Sequence, residues 1–287
     1  MMEVNKELIS KLEDRATVIR RHVVKIASTT GCHIGGAMSV TDIITALYFH
    51  FMKIDPQNPQ WSERDYCILS KGHTVPALYA ALAERGFFPV ESLSTYQQLN
   101  SMFAGHPTMK TPGIELATGS LGHGLSVGIG IAVAVKADGE ENRVYVIVGD
   151  GESQEGSVWE AAMSAPRHLL DNLIVIVDYN QFQASAAVKD ILPLDPLADK
   201  WKSFGWAVCE IDGNDMAQVF SALANIPAEP KKPTAIIAHT VKGKGVSFLE
   251  AQRRAHYTKL NPEETEQAYR ELGKIRNRVF GKNSVSM

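Results

Sequence analysis

The segment Val144-Tyr-Val-Ile-Val-Gly-Asp-Gly-Glu-Ser-Gln-Glu155 is an apolar run ending in a turn that carries oxygen-bearing side chains. Thirty residues after Asp150 the same device recurs at Asn180, in Val177-Asp-Tyr-Asn-Gln-Phe182. The apolar runs 144–148 and 173–177 bracket a stretch with helical spacing, so strand, helix and strand are predicted in that order. That unit brings Asp150 and Asn180 to one sheet edge, where open α/β sheets bind ligands. The predicted class is therefore α/β, a central mostly parallel sheet with helices on both faces.

The side chains at that edge indicate a ligand. A hard divalent cation such as Mg²⁺ takes oxygen donors and usually only one or two carboxylates from protein, leaving positions for substrate phosphates and water. Asp150, the Asn180 amide oxygen and a nearby backbone carbonyl would supply such a set. Gly149 and Gly151 let the backbone approach a phosphate, and a helix starting near Glu155 would aim amide groups at an anion. Two tight turns would account for the same letters, although the residues after Gly151 read as helix and not as the second strand of a hairpin.

Outward from this core, helices are predicted over 5–29, 40–52, 76–85, 155–168 and 214–225, and strands over 206–211 and 234–239. A nearly fully buried helix is expected over 127–137 after a glycine-rich loop at 119–124, and a proline-rich loop over 190–197. Asn261-Pro-Glu-Glu264 reads as a capped helix start, with proline in the first turn and carboxylates near the positive end. The whole chain, 1–287, is expected to be a single domain, with a helical N-terminal region over about 1–55 and a C-terminal helix over about 262–279.

With 45% apolar and 21% charged residues, the chain can bury a sizeable core. A formal net charge of −3 gives no electrostatic case for nucleic acid or for an anionic membrane. Cys32, Cys67 and Cys209 have no Cys-x-x-Cys spacing, which suggests neither a disulfide framework nor a zinc site. The N-terminus lacks the apolar stretch of a signal peptide, so the expected location is the cytoplasm. Gly122-His-Gly-Leu-Ser-Val-Gly128 lacks dinucleotide-fingerprint spacing, and no Gly-x-x-x-x-Gly-Lys-Ser/Thr run exists, which disfavours a dehydrogenase and a nucleotide hydrolase.

Six blocks in order resemble the transketolase family: Thr30-Gly-Cys-His33-Ile-Gly-Gly, Leu69-Ser-Lys-Gly-His73, Gly105-His-Pro107, Gly113-Ile-Glu-Leu-Ala-Thr-Gly-Ser-Leu-Gly122, Gly149-Asp-Gly-Glu-Ser-Gln-Glu-Gly156, and Thr240-Val-Lys-Gly-Lys-Gly245 with His256. The resemblance implies a diphosphate-binding (PP-type) domain and the cofactors thiamin diphosphate and Mg²⁺, with Ca²⁺ or Mn²⁺ able to substitute. It implies that Asp150 and Asn180 hold the metal through side chains and Phe182 through its carbonyl, that Gly151 contacts the diphosphate, and that Gly119 and Leu121 flank the aminopyrimidine. His73 and His256 would contact the diphosphate, with His256 also near the reacting carbonyl. His33 and His106 would face the substrate hydroxyls, Lys242 would lie beside the cofactor, and Glu155 would stand at a subunit contact. Histidine suits such work because its ordinary pKa lies near neutrality. Cys32, Ile34, Ser120 and His123 depart from the common pattern; His123 is assigned to a subunit contact and His239 remains a weaker candidate at the sheet edge.

Transketolases of the usual kind continue into a pyrimidine-binding domain that supplies a glutamate to the aminopyrimidine, and no position here matches it. The expectation is the N-terminal subunit of a split, heterotetrameric transketolase. It would transfer a two-carbon ketol unit between sugar phosphates with a C-terminal partner subunit that carries the pyrimidine-binding domain. The alternatives are a split enzyme for a branched or sulfonated sugar, a 1-deoxyxylulose-5-phosphate synthase-like enzyme, and a degenerate partner-binding subunit.

Overall fold

The computed structural model describes residues 5–273. Its centre is a five-stranded, all-parallel sheet in the order β1-β2-β3-β5-β4. The strands are β1 (Tyr66–Leu69), β2 (Val144–Gly149), β3 (Leu173–Tyr179), β4 (Ala207–Asp212) and β5 (Thr234–His239). The ten α-helices among the described residues are α1 (Lys6–Thr29), α2 (Ile34–Ser39), α3 (Thr41–Ala46), α4 (Val75–Arg85), α5 (His123–Ala137), α6 (Gly156–Arg167), α7 (Val188–Ile191), α8 (Leu197–Ser203), α9 (Met216–Ala224) and α10 (Pro262–Glu271).

Burial on both faces makes β2 and β3 continuous apolar runs. Tyr145, Ile147, Ile174 and Ile176 share one core with α1, α3, α4 and α9, whereas Val144, Val146, Val148, Val175 and Val177 share another with α5, α6 and α8. The period-2 alternation of side chains distributes one run between two cores. In register, Val144 pairs with Leu173 and Gly149 with Asp178, and the Asp150 N–H donates to the Asp178 carbonyl at 3.3 Å. The ladder thus sets the Asp150 and Asn180 turns side by side.

Several expectations need correction. The segment 40–52 is not one helix: α3 gives way to a π-helical turn over Leu47–Phe51, and α2 precedes it. Strand β1 was not anticipated, because Tyr66-Cys-Ile-Leu69 is too short to show a period. Helix α8 begins where the proline-rich loop was expected to end, with Trp201 fully buried. Helix α5 starts four residues earlier than expected and is not nearly fully buried: Val127 is 39% exposed. Helix α10 has a capping box in which the Asn261 side chain accepts from the Glu264 N–H at 2.8 Å. Residues 1–4 of the expected N-terminal helical region and 274–279 of the expected C-terminal helix lie outside the described residues. No helix among the described residues is long and apolar enough to cross a membrane.

Candidate active site

The carboxyl ends of β1, β2 and β3 open into a cavity of about 370 Å³, within the size range of small-molecule sites. Asp150, Gly151, Glu155, Asn180, Phe182, Gly119, Leu121, His33, His73, Lys242 and His256 line it. Each is placed by a short, well-braced turn. Asp150, 3% exposed, follows β2; one of its carboxylate oxygens accepts the Gly151 N–H at 2.7 Å and the other the Gln181 N–H. Asn180 follows β3, with its amide oxygen accepting the Phe182 N–H at 3.1 Å.

Histidines gather on the opposite wall. A two-residue bridge between Cys32 and Thr258, with N–H···O distances of 3.1 and 3.0 Å, holds the 30–33 turn against the segment after His256. The His33 ring therefore lies 5.1 Å from those of His73 and His256 and 6.3 Å from that of His106. His106 leans on Gly119 and is held by the Tyr79 hydroxyl, which donates to its carbonyl at 3.1 Å. The Tyr257 ring meets His33 edge-on at 5.0 Å. The Nδ1 atom of His33 is buried with no hydrogen-bond partner among the described residues. A buried polar atom of this kind is normally satisfied, so a bound molecule would complete it.

The floor is braced by carboxylates that the sequence reading did not single out. Glu152 accepts from the Gly122 N–H at 2.9 Å, the Gly149 N–H at 3.0 Å and the Ser70 hydroxyl, tying the 119–124 loop to the end of β2. Asp178, fully buried, forms an ion pair with Lys71. It also accepts from Ser39 Oγ at 2.6 Å, Asn180 Nδ2 at 3.0 Å and the Thr240 hydroxyl. Lys71 stands two positions before His73, Asp178 two before Asn180 and Glu152 two after Asp150, and that adjacency was the available signal.

Electrostatics follow from burial. Desolvation, followed by the charge of Asp178, pushes the Asp150 carboxyl up to about 7. Burial lowers His33 and His256 to about 4, with the neighbouring His256 acting on His33 and Lys242 on His256. His73 is lowered well below the ordinary value, first by burial and then by Lys71. Lys242 falls to about 8, again chiefly by desolvation; its Nζ donates to the carbonyls of Phe182 at 3.2 Å and Gln183 at 3.0 Å and lies 3.4 Å from His256 Nδ1. The wall thus carries neutral imidazoles facing a carboxyl and two lysines.

The donor chemistry fits an oxygen-seeking divalent cation with an anionic ligand. Asp150 is a carboxylate beside an amide oxygen and a carbonyl, and no group of three or more His, Cys, Asp or Glu side chains suited to a softer metal exists among the described residues. Gly36 lets α2 pack closely on the turn that carries His73, since a Cβ there would come within 2.6 Å of the Thr74 methyl. His123 and His239 stay outside the cavity: His123 is exposed on α5, and His239 pairs with Glu210 at 3.0 Å and packs on Tyr179.

Comparison with known proteins adds an independent observation. The family described as "Transketolase, thiamine diphosphate binding domain" matches residues 13–282. The 6-deoxy-6-sulfo-D-fructose transketolase subunit of a Clostridium species is 46% identical over 92% of this chain and 96% of its own length. An apulose-4-phosphate transketolase subunit of Phocaeicola vulgatus is 41% identical over 92% of this chain and 94% of its own. The crystal structure of transketolase from Campylobacter jejuni superposes with a TM-score of 0.84 at 31% identity, covering 94% of this chain but 43% of that one.

Proposed function

Because this chain belongs to the transketolase thiamine diphosphate binding domain family, we propose that it is the N-terminal subunit of a two-subunit, Mg²⁺- and thiamin diphosphate-dependent transketolase. The observation that carries this reading is the meeting, in one cavity, of the Asp150–Asn180 oxygen donors with His33, His73 and His256, while the His106 ring, which does not line the cavity, stands 6.3 Å behind that of His33. The reaction is the reversible transfer of a two-carbon ketol unit from a ketose phosphate to an aldose or aldose phosphate.

When bound, the cofactor supplies the nucleophilic carbon and the electron sink for the two-carbon unit; the protein supplies orientation and proton handling. Asp150, Asn180 and the Phe182 carbonyl would hold Mg²⁺, while Gly151, His73 and His256 would receive the diphosphate. Gly119 and Leu121 would flank the aminopyrimidine, and Lys242 would lie beside the cofactor. A neutral imidazole can accept a hydroxyl proton and return it, and His33 and His106 do this for the sugar. His256 serves the carbonyl oxygen. The low pKa of His33 keeps its imidazole neutral and so able to accept a proton near pH 7.

The chain spans less than half the length of the solved transketolases but nearly all of the two subunits of split enzymes. This supports a separate C-terminal partner that brings the pyrimidine-binding domain; the proposal adds a cytoplasmic heterotetramer with Glu155 at a subunit contact. A second reading, action on a branched or sulfonated sugar in place of a pentose phosphate, is favoured by the names of those two subunits. The test is a ketol-transfer assay with thiamin diphosphate and Mg²⁺ on this chain alone and mixed with the product of the adjacent reading frame, using xylulose 5-phosphate, apulose 4-phosphate and 6-deoxy-6-sulfofructose as donors. Activity confined to the mixture is expected, and its donor preference decides between the readings. Turnover by this chain alone would refute the split-site reading.

A further inference from the structure

Asp178 and Lys71 are buried at the floor of the cavity, yet neither holds cofactor or sugar in the mechanism above. Their surroundings are specific. Asp178 Oδ2 receives Lys71 Nζ, Ser39 Oγ at 2.6 Å and Asn180 Nδ2 at 3.0 Å, and Oδ1 receives the Thr240 hydroxyl. Lys71 Nζ also donates to the Gly36 carbonyl at 3.3 Å. Donors from α2, from the ends of β1 and β5 and from the turn after β3 therefore converge on one carboxylate.

The consequence falls on Asn180. Its NH₂ is held by Asp178, so its oxygen faces the other way, where it accepts the Phe182 N–H at 3.1 Å and keeps a second lone pair. Rotating the amide by half a turn would set its oxygen against the Asp178 carboxylate and its NH₂ against an N–H donor. Both contacts would be repulsive. The Lys71 cation offsets the Asp178 charge, which would otherwise stand uncompensated beside Asp150 in a buried site.

We propose that Asp178, charge-balanced by Lys71, is a positioning residue that locks the Asn180 amide oxygen toward the metal position and thereby sets the metal affinity of the site. This rests on the metal-binding reading given above. Partners that orient metal ligands typically change affinity by about 10–100-fold when lost.

Two charge-neutral double variants separate orientation from charge. Lys71→Met/Asp178→Leu removes the acceptor, and Lys71→Met/Asp178→Asn restores one. Each is assembled with the C-terminal partner, saturated with thiamin diphosphate and titrated with Mn²⁺, free metal being read by electron paramagnetic resonance. The expected result is about a 10–100-fold loss of Mn²⁺ affinity in the leucine variant, rescued by the asparagine variant. At saturating Mn²⁺ the leucine variant should regain ketol transfer, because no imidazole is replaced and burial, the main cause of the His73 and His256 shifts, is kept. Equal affinities in the two variants, whether both high or both low, would overturn the proposal. Should the leucine variant fail to fold, ¹⁵N-asparagine spectra of the wild-type assembly decide: an Asn180 Nδ2 proton strongly protected from exchange with solvent is expected, and exchange of both protons at the rate of an exposed amide would overturn it. Absence of Mn²⁺ binding by the wild-type assembly would instead refute the functional reading, and the spectra would still test the locked amide.

Discussion

Asp150 is the one carboxylate among the proposed metal ligands, and burial places its proton near neutrality: with its carboxyl at about 7, it is substantially protonated at pH 6 and mostly ionised at pH 8. Metal must displace that proton. Calorimetry of thiamin diphosphate with Mg²⁺, repeated in buffers of different ionisation enthalpy, should show more proton release at pH 6 than at pH 8, with the difference lost in Asp150→Asn. Asp150→Ala should abolish cofactor retention, checked by equilibrium dialysis of the assembled enzyme. The histidines pull the opposite way on folding. His33 and His256 sit at about 4 when folded, below the ordinary 6.5, so the unfolded chain binds more protons between those values. Their contribution to stability is present above pH 6.5 and is lost as pH falls toward 4. Urea midpoints measured from pH 7 to 4 should fall, and replacing His33 and His256 with Asn should flatten that slope. The proposed site residues were legible because Gly-Asp-Gly, Asn180 and the histidines near glycines, His33, His73 and His106, stand in recognisable blocks. Asp178, Lys71 and Glu152 were not, since only the fold shows which buried carboxylate meets which donor.

Elements bring these residues together, and their legibility depended on length. The runs at 144–148, 173–177 and 234–239 announced strands because both faces of each are buried in apolar cores. Four-residue β1 and the seven-residue α8 were too short for a period to show. Helix α2 was hidden as well, since Ile34-Gly-Gly-Ala-Met-Ser39 is short and carries two glycines, although the start expected at Val40 falls at the break before α3. One buried polar cluster fixes this helical layer: Arg20 on α1 donates to Asp42 on α3 at 3.0 Å and at 2.5 Å, and Asn214 after β4 donates to the same carboxylate at 2.8 Å. Removing one partner leaves an uncompensated buried charge, worth about 3–5 kcal/mol. Arg20→Met should therefore lower the unfolding free energy by about that amount in urea titration, with Arg20→Met/Asp42→Leu recovering a large part. A loss no larger than that of an exposed substitution would show that the cluster does not hold α1 to α3. A local change of the same kind is expected at Gly122, whose φ of +85° and 2.5 Å Cβ approach to Ser157 Oγ leave no room for alanine.

At the scale of the whole molecule, the departure of α5 from its expected burial has the largest consequence. Its sequence, His123-Gly-Leu-Ser-Val-Gly-Ile-Gly-Ile-Ala-Val-Ala-Val-Lys-Ala137, is apolar nearly all round, which suits a helix covered on every side. In the folded chain only one side is covered: Leu125, Ile129 and Ala132 pack into the core, while Val127, Gly130 and Ala134 remain exposed. On the adjoining α6, Met163 is 56% exposed, and Glu155 stands at the N-cap position of that helix at the cavity rim. The sequence reading was therefore right about the helix and wrong about its cover in the single chain. The proposed heterotetramer supplies the missing cover if α5 and α6 face a second copy, which would also bring Glu155 to the contact assigned to it. Val127→Asp places a charge in that face without touching the core, and exposed substitutions of this kind usually alter stability by within about 0.5 kcal/mol. Sedimentation equilibrium should then show the self-association of this chain weakened by the variant while its urea midpoint stays near wild type. A fall in both would mean that Val127 supports the fold of the single chain, and unchanged association would move the contact to another face.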